Sequence, residues 1–391
     1  MANSIMSTLS QLDPEVCHKA SRYALRVCEE MTKRSSLISD IDDVVPSFSR
    51  EEIIPNLGEL LGKGGFNNVY ELHKIDLLSP SPNVTIEKLR GRLANTKEKL
   101  AVKFLCDDAM TNPDEFCNGA ADLLMEAKYL SALAKHPHPG LIQLYGVAAE
   151  GASGFSSGLK GGYFLIIDRL YDTLDRRIDV WREVRRRRSK DTSSTTNRKL
   201  LKALYFQRIM VAYDIALALK HLHKLEIVFR DLKPDNIGFG YNNTVKLFDF
   251  GLAKELDPYQ KLDNGLYKMS GGTGSRRFMA PEVSLSEPYS LSADVYSYAI
   301  LLWELLSLEK AFGELSSDEH KENVIKGDQR LPFDKDWPLP VTYLLSACWD
   351  PDPFKRPSAR DVCKALRQEL SMCYDSLRAK NSGGQERRPS Y

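Results

Sequence analysis

Four polar residues in the second half of the chain have the side chains that phosphoryl transfer requires. Asp231, Lys233 and Asn236 lie within the stretch RDLKPDN, and Asp249 closes the apolar segment VKLFD. Moving a phosphoryl group needs hard oxygen ligands for Mg²⁺ and one carboxylate that aligns the attacking hydroxyl. Asp249 and Asn236 suit the metal, Asp231 suits the hydroxyl, and Lys233 would neutralise charge on the moving group. A single aspartate in a turn is usually a cap, so other elements must support this interpretation.

The segment LGKGGFNNV (61–69) is a candidate phosphate-binding loop. Gly62 and Gly64 follow one predicted strand and precede another. A helix does not follow, which excludes a dinucleotide-binding turn, and the absence of GK[ST] excludes a Walker A loop. The segment predicts a hairpin whose backbone approaches phosphate oxygens closely, and an ordinary turn is the alternative for this motif alone.

A lysine and a glutamate lie where apolar side chains are expected. Alternation in KLAVKFL puts Ala101 and Lys103 on one face of a strand. Glu126 lies between Leu123 and Leu130 on the apolar stripe of a predicted helix. Burying either charge alone is costly, so we expect Lys103 and Glu126 to pair and to hold the ammonium against phosphates. A lysine at a sheet edge that reaches solvent is the alternative.

The elements that must position these residues fall into two parts. Short, glycine-punctuated strands and one helix (122–136) fill the chain up to Asp168, and mostly helical segments follow. Helical spacing also predicts a helix near residues 14–31, before a Ser-rich linker. The run AILLWELL indicates a buried helix. Three stretches have the composition of inserted loops: 79–99, 150–162 and 182–199.

The motif order resembles that of a eukaryotic protein kinase. A glycine loop, AVK, a helix glutamate, RDLKPDN, DFG and APE follow one another across about 52–375. The resemblance implies an α+β bilobal fold, with a five-stranded N-lobe and helix C (52–168), a helical C-lobe (169–375), and ATP between the lobes. Residues 1–51 are then an N-terminal extension, and 376–391 a disordered tail.

The resemblance also implies roles for individual residues. The lysine in DLKPDN is typical of serine/threonine kinases. The stretch CWDPDPFKRPSA resembles the corresponding stretch of the tyrosine-kinase-like group. Mg²⁺, or Mn²⁺ as an alternative, would be held by Asn236 and Asp249, with Asp231 and Lys233 catalytic. The nucleotide would contact Leu61, Gly62, Lys63, Gly64, Gly65, Phe66, Val69, Ala101, Lys103, Glu126, Asp168 and Leu170.

Five further residues have supporting roles by the same resemblance. Asp294 would anchor the catalytic loop, Glu282 would pair with Arg356, and Ser275 would lie near Asp231. Ile167 would be the gatekeeper, preceding the hinge.

Three residues depart from the family pattern. Asn67 replaces the third loop glycine; because asparagine tolerates a positive φ better than most residues, we expect somewhat weaker phosphate binding rather than loss of activity. Gly238 stands where an apolar floor for adenine is usual, which predicts an ATP affinity reduced by about 1–2 kcal/mol. Phe229 stands where a histidine is usual. Because that position packs rather than transfers protons, we expect a working catalytic loop.

The family pattern suggests that phosphorylation regulates the protein, but it does not identify the phosphorylated residue. Arg230 before Asp231 implies that the segment 252–279 is ordered by a phosphate. Tyr267, Ser270 and Thr273 are candidate acceptors.

Composition limits the other classes of protein to which the chain could belong and the compartment in which we expect it. With 54 basic and 53 acidic residues, no global field recruits nucleic acid or a membrane. Seven cysteines without a C-x-x-C pair, no evident secretory signal and no membrane-length apolar run predict a cytoplasmic protein, with the nucleus as a second location. The basic insert 182–199 and the N-terminal helix are candidate docking surfaces, with a solvated face and a packing appendage as the alternatives.

The sequence leaves two candidate functions to be tested. An active serine/threonine kinase acting on protein hydroxyls is the first. A pseudokinase scaffold that binds nucleotide or a partner without phosphotransfer is the alternative. The presence of Lys103, Glu126, Asp231, Asn236 and Asp249 together favours the enzyme.

Overall fold

A computed structural model describes residues 13–38, 45–189 and 194–382, with side chains up to 375. The chain divides into two compact units. The N-terminal unit holds the described residues up to Tyr171 together with Asp249–Ala253, and the C-terminal unit holds Asp172–Phe248 and the residues from Lys254 onward. The first unit thus ends slightly beyond the predicted boundary at 168, and it includes the DFG segment.

A six-stranded sheet forms the frame of the N-terminal unit. Its strands are β1 (Ser47–Phe48), β2 (Leu57–Lys63), β3 (Asn67–Leu72), β4 (Leu100–Leu105), β5 (Leu144–Ala148) and β6 (Leu165–Asp168). The order is β1-β5-β6-β4-β3-β2, with β1 parallel to β5 and the other neighbours antiparallel. The expected count of five strands is therefore corrected, because the predicted linker supplies β1 opposite Val147 and Ala148.

Five helices complete this unit: α1 (Pro14–Thr32), α2 (Arg50–Ile53), α3 (Val84–Ala94), α4 (Asp107–Thr111) and α5 (Pro113–Ala134). The predicted N-terminal helix is present as α1. The interpretation of 79–99 as a loop was wrong, because Asn83 caps α3 by accepting from the N–H groups of Thr85 and Ile86. The 150–162 stretch contains a 3₁₀ helix, Gly151–Ser157.

Glu52 ties the 79–99 insert to the rest of the unit. Its carboxylate lies 2.6 Å from the guanidinium of Arg90, and it accepts hydrogen bonds from the backbone N–H of Ser49 and of Leu78. Arg90 also stacks over the ring of Phe48 at 5.1 Å. Both charged side chains are buried, so the pair joins α2, α3 and β1 in a single polar cluster.

The C-terminal unit contains the short strands β7 (Asp172–Thr173), β8 (Ile227–Val228), β9 (Ile237–Phe239), β10 (Val245–Leu247) and β11 (Lys254–Glu255). Its helices are α6 (Leu174–Arg188), α7 (Thr195–Lys224), α8 (Pro281–Ser284), α9 (Ser292–Ser307), α10 (Ser317–Glu319), α11 (Leu339–Cys348) and α12 (Ala359–Ser382). The apolar run AILLWELL is buried in α9, as predicted, and α7 packs along α12.

Two stretches of this unit that were predicted to be irregular contain helix within their described residues. The 182–199 insert is divided between α6 and α7, with 190–193 outside the described residues. Within it, Arg186 and Arg187 both pair with Glu183, which favours the solvated-face interpretation. Helix α12 continues into the predicted disordered tail as far as Ser382, and 383–391 lie outside the described residues.

All seven cysteines are free thiols, as the absence of paired spacing predicted. No helix in the described parts of the chain combines the length and apolarity needed to cross a membrane.

We predict that Glu52→Ala lowers the free energy of unfolding by about 3–5 kcal/mol, because it strands the buried Arg90 charge. Urea-induced unfolding measures this. The control is Glu51→Ala, which removes an exposed carboxylate from the same helix and should change stability by no more than about 0.5 kcal/mol. Equal effects of the two substitutions would refute the structural role of the Glu52–Arg90 pair.

Candidate active site

Lys103 lies in the middle of the sheet, with a carboxylate on each side of its ammonium. It is paired through the backbone with Val69 of β3 and Leu165 of β6, so β4 is an interior strand and the edge-lysine alternative is wrong. Its Nζ lies 2.6 Å from Oε2 of Glu126 and 3.1 Å from Oδ1 of Asp249. The predicted Lys103–Glu126 pair is therefore present, and both partners are buried.

The surroundings keep this ammonium charged. Burial by itself lowers the pKa of Lys103, but the nearby charges and hydrogen bonds of Asp249 and Glu126 outweigh burial and raise that pKa above its ordinary value. Asp249 has a positive φ of 69°, a conformation that non-glycine residues adopt mainly where the surroundings impose it. The N–H of Phe250 donates to Glu126 at 3.4 Å, which ties the DFG segment to α5.

The glycine hairpin presents an open backbone. A Cβ at Gly62 or at Gly65 would meet no atom within 4 Å, and the N–H of Gly64 closes the turn onto the carbonyl of Asn67 at 2.7 Å. Asn67 begins β3 opposite Leu105, and its φ is not positive, so the tolerance of asparagine for a left-handed conformation is not used at this position. The substitution of the third glycine therefore creates no backbone strain.

Other predicted nucleotide contacts lie around this frame. Leu61 and Gly62 are on β2, Val69 is on β3, and buried Ala101 lies two residues before Lys103 on β4. Phe66, at the hairpin tip, packs against α5, since a Cβ at Gly119 would lie 2.9 Å from the Cβ of Phe66.

The hinge prediction concerns residues at the end of β6. Ile167 is buried, and Leu170 is partly exposed. The carboxylate of Asp168 accepts hydrogen bonds from the N–H of Gln143 at 2.8 Å and from the hydroxyl of Tyr145 at 3.0 Å. The Asp168 side chain thus braces β5, and any role in nucleotide binding falls to its backbone.

In the C-terminal unit, Asp231 is the centre of a compact polar cluster. Its carboxylate lies 2.8 Å from Nζ of Lys233, and it accepts from Nδ2 of Asn236 at 2.9 Å and from the N–H of Ser275 at 2.8 Å. Lys233 also donates to the hydroxyl of Ser275 at 2.8 Å. Because Asn236 uses its amide nitrogen on Asp231, its amide oxygen is the atom suited to a hard metal ion.

Gly274 allows this cluster to form. Its φ is 103°, and a Cβ at this position would lie 2.2 Å from the carbonyl oxygen of Arg230. Only glycine fits such an approach between two backbones. The sequence signal was the glycine immediately before Ser275, which the motif interpretation did not use.

Asp294 holds the catalytic loop in place through hydrogen bonds. Its carboxylate accepts from the N–H of Phe229 at 2.8 Å and of Arg230 at 2.9 Å, and it lies 3.0 Å from Nε2 of His223. Phe229 is fully buried, so its ring packs while its backbone makes the polar contact. The loop is thus held through backbone N–H groups, which a phenylalanine supplies as well as a histidine. Elsewhere, Arg356 pairs with Glu282 as expected, at 2.6 and 2.8 Å.

Gly238 lies in the middle of β9, paired with Thr173 of β7 and Lys246 of β10. The expected loss of adenine affinity at this position stays a prediction.

A fixed ammonium and an open glycine backbone in one unit are groups that suit a nucleoside triphosphate. A carboxylate bonded to a lysine and an asparagine suits a hydroxyl acceptor and a metal-bound phosphate. These residue groups are the types that ATP-dependent phosphoryl transfer requires.

The protein kinase domain model matches residues 88–366, and the chain therefore belongs to the protein kinase family. This confirms the family and the mixed α/β fold class that the motif order predicted.

Several curated proteins are similar over part of the chain. Serine/threonine-protein kinase STY17 of Arabidopsis thaliana is 35% identical over 176 residues, which are 45% of this chain and 30% of that protein. Dual specificity protein kinase shkB of Dictyostelium discoideum is 37% identical over 158 residues, 40% of this chain and 23% of that protein. A probable serine/threonine-protein kinase of Dictyostelium discoideum is 30% identical over 254 residues, 60% of this chain and 32% of that protein. The chain thus spans about a third or less of these relatives.

The sequence interpretation missed Asp122, one helical turn before Glu126 on α5. Burial raises the pKa of this carboxyl to about 6, and the negative charge of Asp249 adds to the shift. A Cβ at Gly251 would lie 3.4 Å from the Cβ of Asp122, so the residue faces the DFG segment. Its position on the helix, at i−4 from Glu126, was the available signal.

We predict that Asp122→Asn stabilises the protein at neutral pH. The raised pKa means that folding favours the neutral form of Asp122. Its contribution to the free energy of unfolding is therefore fully present below pH 3.8, the ordinary pKa, and is lost as the pH rises through the folded-state pKa of about 6. At pH 7.5 the variant should gain up to about 3 kcal/mol, and the gain should shrink towards pH 4. Urea-induced unfolding without nucleotide or metal measures both values.

Asp114→Asn provides the control, because Asp114 is exposed in the first turn of the same helix. Its effect should be the same at pH 5 and pH 7.5. A gain for Asp122→Asn that does not change with pH would contradict the assignment.

Proposed function

We propose that this chain is a serine/threonine protein kinase that transfers the γ-phosphoryl group of Mg-ATP to protein hydroxyls. The observation that carries the proposal is the cluster in which the Asp231 carboxylate contacts Lys233, Asn236 and the backbone of Ser275. The serine/threonine kinases among the relatives support the acceptor class.

Each residue has a role that follows from its contacts. Lys103, fixed by Glu126, binds phosphate oxygens below the glycine hairpin. Asp249 and Asn236 offer oxygen ligands to the metal. When bound, Mg-ATP supplies the phosphoryl group and the charge that neutralises it. Asp231 orients the acceptor hydroxyl and accepts its proton, and Lys233 stabilises the negative charge beside it.

The contacts of Lys233 support serine or threonine as the acceptor. Its Nζ bridges the carboxylate of Asp231 and the hydroxyl of Ser275, which fixes the substrate-side segment beside the proposed base. Nothing in the comparisons favours the pseudokinase alternative, and every residue of the charged set has its expected type.

The proposed ion is Mg²⁺, with Mn²⁺ as the alternative, because both accept oxygen ligands. The proposed location is the cytoplasm and the nucleus, supported by seven free thiols. The exposed arginines at the end of α6 are proposed only as a secondary docking surface, since Glu183 already pairs with two of them.

We expect Asp231→Asn to lower phosphate transfer from Mg-ATP by about 10²–10⁴-fold, because the general base is lost. The measurement is incorporation of labelled phosphate into a generic basic protein, followed by identification of the phosphorylated amino acid. Asp235→Asn makes the same change at an exposed carboxylate of the same loop and should leave the rate within about two-fold.

Equal transfer by the wild-type chain and Asp231→Asn would refute the proposal. Background transfer by all three proteins, with a thermal shift on adding Mg-ATP, would establish a nucleotide-binding scaffold instead. Transfer to tyrosine alone would contradict the proposed acceptor class.

Ser270 is the activation phosphosite that the contacts favour. Its hydroxyl accepts from the guanidinium of Arg230 at 2.9 Å, and its side chain is exposed. Burial lowers the pKa of Lys254, and the positive charge of Arg230 adds to that effect, so two cations lie close together. Tyr267 is buried and pairs through its backbone with Tyr289, which disfavours it as an acceptor.

We predict that Ser270→Ala lowers the activity of the Mg-ATP-treated protein about ten-fold or more, because a phosphate–arginine pair is lost. Mass spectrometry of the treated protein should locate phosphate on Ser270. Thr273→Ala should retain both the phosphate and the activity. In an Arg230→Ala background, Ser270→Ala should cause little further loss, and phosphate at Thr273 or Tyr267 alone would contradict the assignment.

A further inference from the structure

Helix α5, which carries Glu126, is buried on nearly every side. Fifteen of its 22 residues are buried, including five consecutive ones that cover more than a full turn: Leu123, Leu124, Met125, Glu126 and Ala127. A helix that is apolar all round needs cover on the face turned away from the sheet. This cover decides whether α5 has one stable position.

Helix α1 supplies that cover from outside the part of the chain that matches the family model. It contacts both α5 and the 3₁₀ helix Gly151–Ser157, and its buried residues form a stripe of small side chains: Cys17, Ala20, Ser21, Ala24 and Cys28. Small side chains at this spacing let two helix backbones approach closely. The neighbouring residue Leu25 lies outside this stripe and is 42% exposed.

Electrostatic contacts give the register of the two helices. Burial raises the pKa of Cys28, and the charge of Lys128 opposes that shift. Burial likewise raises the pKa of Cys117, opposed by Lys19. The early part of α1 therefore lies near the early part of α5, and Cys28 lies near Lys128. The contact thus extends past Glu126.

The 150–162 stretch holds α1 from a second side. The Ser21 hydroxyl donates to the carbonyl of Ala152 at 2.9 Å in a buried hydrogen bond. The stretch is itself folded tightly, since a Cβ at Gly154 would lie 2.0 Å from the carbonyl oxygen of Gly162. Helix α1 therefore meets both this inserted stretch and α5.

We propose that α1 is a positioning element for the phosphate-binding site. It holds α5 where Glu126 reaches Lys103, so that the chain carries its own activating contact on this helix. The inference rests on the proposed function, because its effect is read through ATP use. Residues of the α1 stripe act through Glu126 and touch no substrate.

The test compares Ala24→Asp with Leu25→Asp in the full chain. Both create the same side chain on neighbouring residues, but Ala24 is fully buried in the α1 stripe and Leu25 is 42% exposed. Ala24→Asp should lower kcat/KM for ATP by about 5- to 150-fold, the usual range for coupling between sites, and leave KM for the protein substrate unchanged. Leu25→Asp should stay within about two-fold of wild type. Assays are run well below the thermal midpoint of each variant.

A double-mutant cycle with Glu126→Gln separates positioning from general damage. If α1 acts through Glu126, Ala24→Asp should cause a further loss of less than about two-fold in the Glu126→Gln background. The inference would be overturned if the losses from Ala24→Asp and Glu126→Gln multiplied in the double variant, or if Ala24→Asp and Leu25→Asp had equal activities. Should Ala24→Asp fail to fold, Ser21→Ala removes one hydrogen bond and enters the same cycle, with Ser21→Thr expected to restore activity.

ATP affinity, read by thermal shift, provides a second measurement. A wild-type chain that binds Mg-ATP and transfers no phosphate would refute the proposed function alone. The difference in ATP affinity between Ala24→Asp and Leu25→Asp would still test the role of α1, and no difference would refute it.

Discussion

The buried ammonium of Lys103 is the constraint on which the N-terminal unit depends. An unpaired charge in an interior strand would be strongly destabilising, so β4 can hold this lysine only if carboxylates come to it. Glu126 comes from α5, and Asp249 comes from a segment much later in the chain. One charge therefore fixes the position of a helix and draws the DFG segment into the N-terminal unit.

A second carboxylate has a comparable role in the C-terminal unit. Asp294 lies on buried α9 and receives two backbone N–H groups of the catalytic loop. Since the backbone makes these contacts, the loop tolerates Phe229 where an imidazole is usual. The loop in turn orients Asp231, whose carboxylate is held by three neighbours. Charged groups thus organise both units, but the apolar packing around them keeps each charge in place.

Two stretches with the composition of inserted loops, and the N-terminal extension, are built into the fold. The 79–99 stretch forms α3 and places Arg90 on buried Glu52. Helix α1 packs on both α5 and the 150–162 stretch. Composition gave the wrong prediction of a loop for the 79–99 stretch, because charged residues suit a loop and an exposed helix face equally well. The capping residue Asn83 was the local signal for a helix.

The sequence by itself determined the residue types and their order, and that was enough for the family, for most elements and for the pairing of Lys103 with Glu126. These features follow from local spacing and from the cost of burying a lone charge. Only the tertiary structure decided that Asn67 needs no positive φ, that Asp122 faces the DFG segment, that Arg230 contacts Ser270 and that α1 covers α5. Each of these depends on which distant surfaces meet. Periodicity states which face of a helix is apolar, but it does not state which partner buries that face.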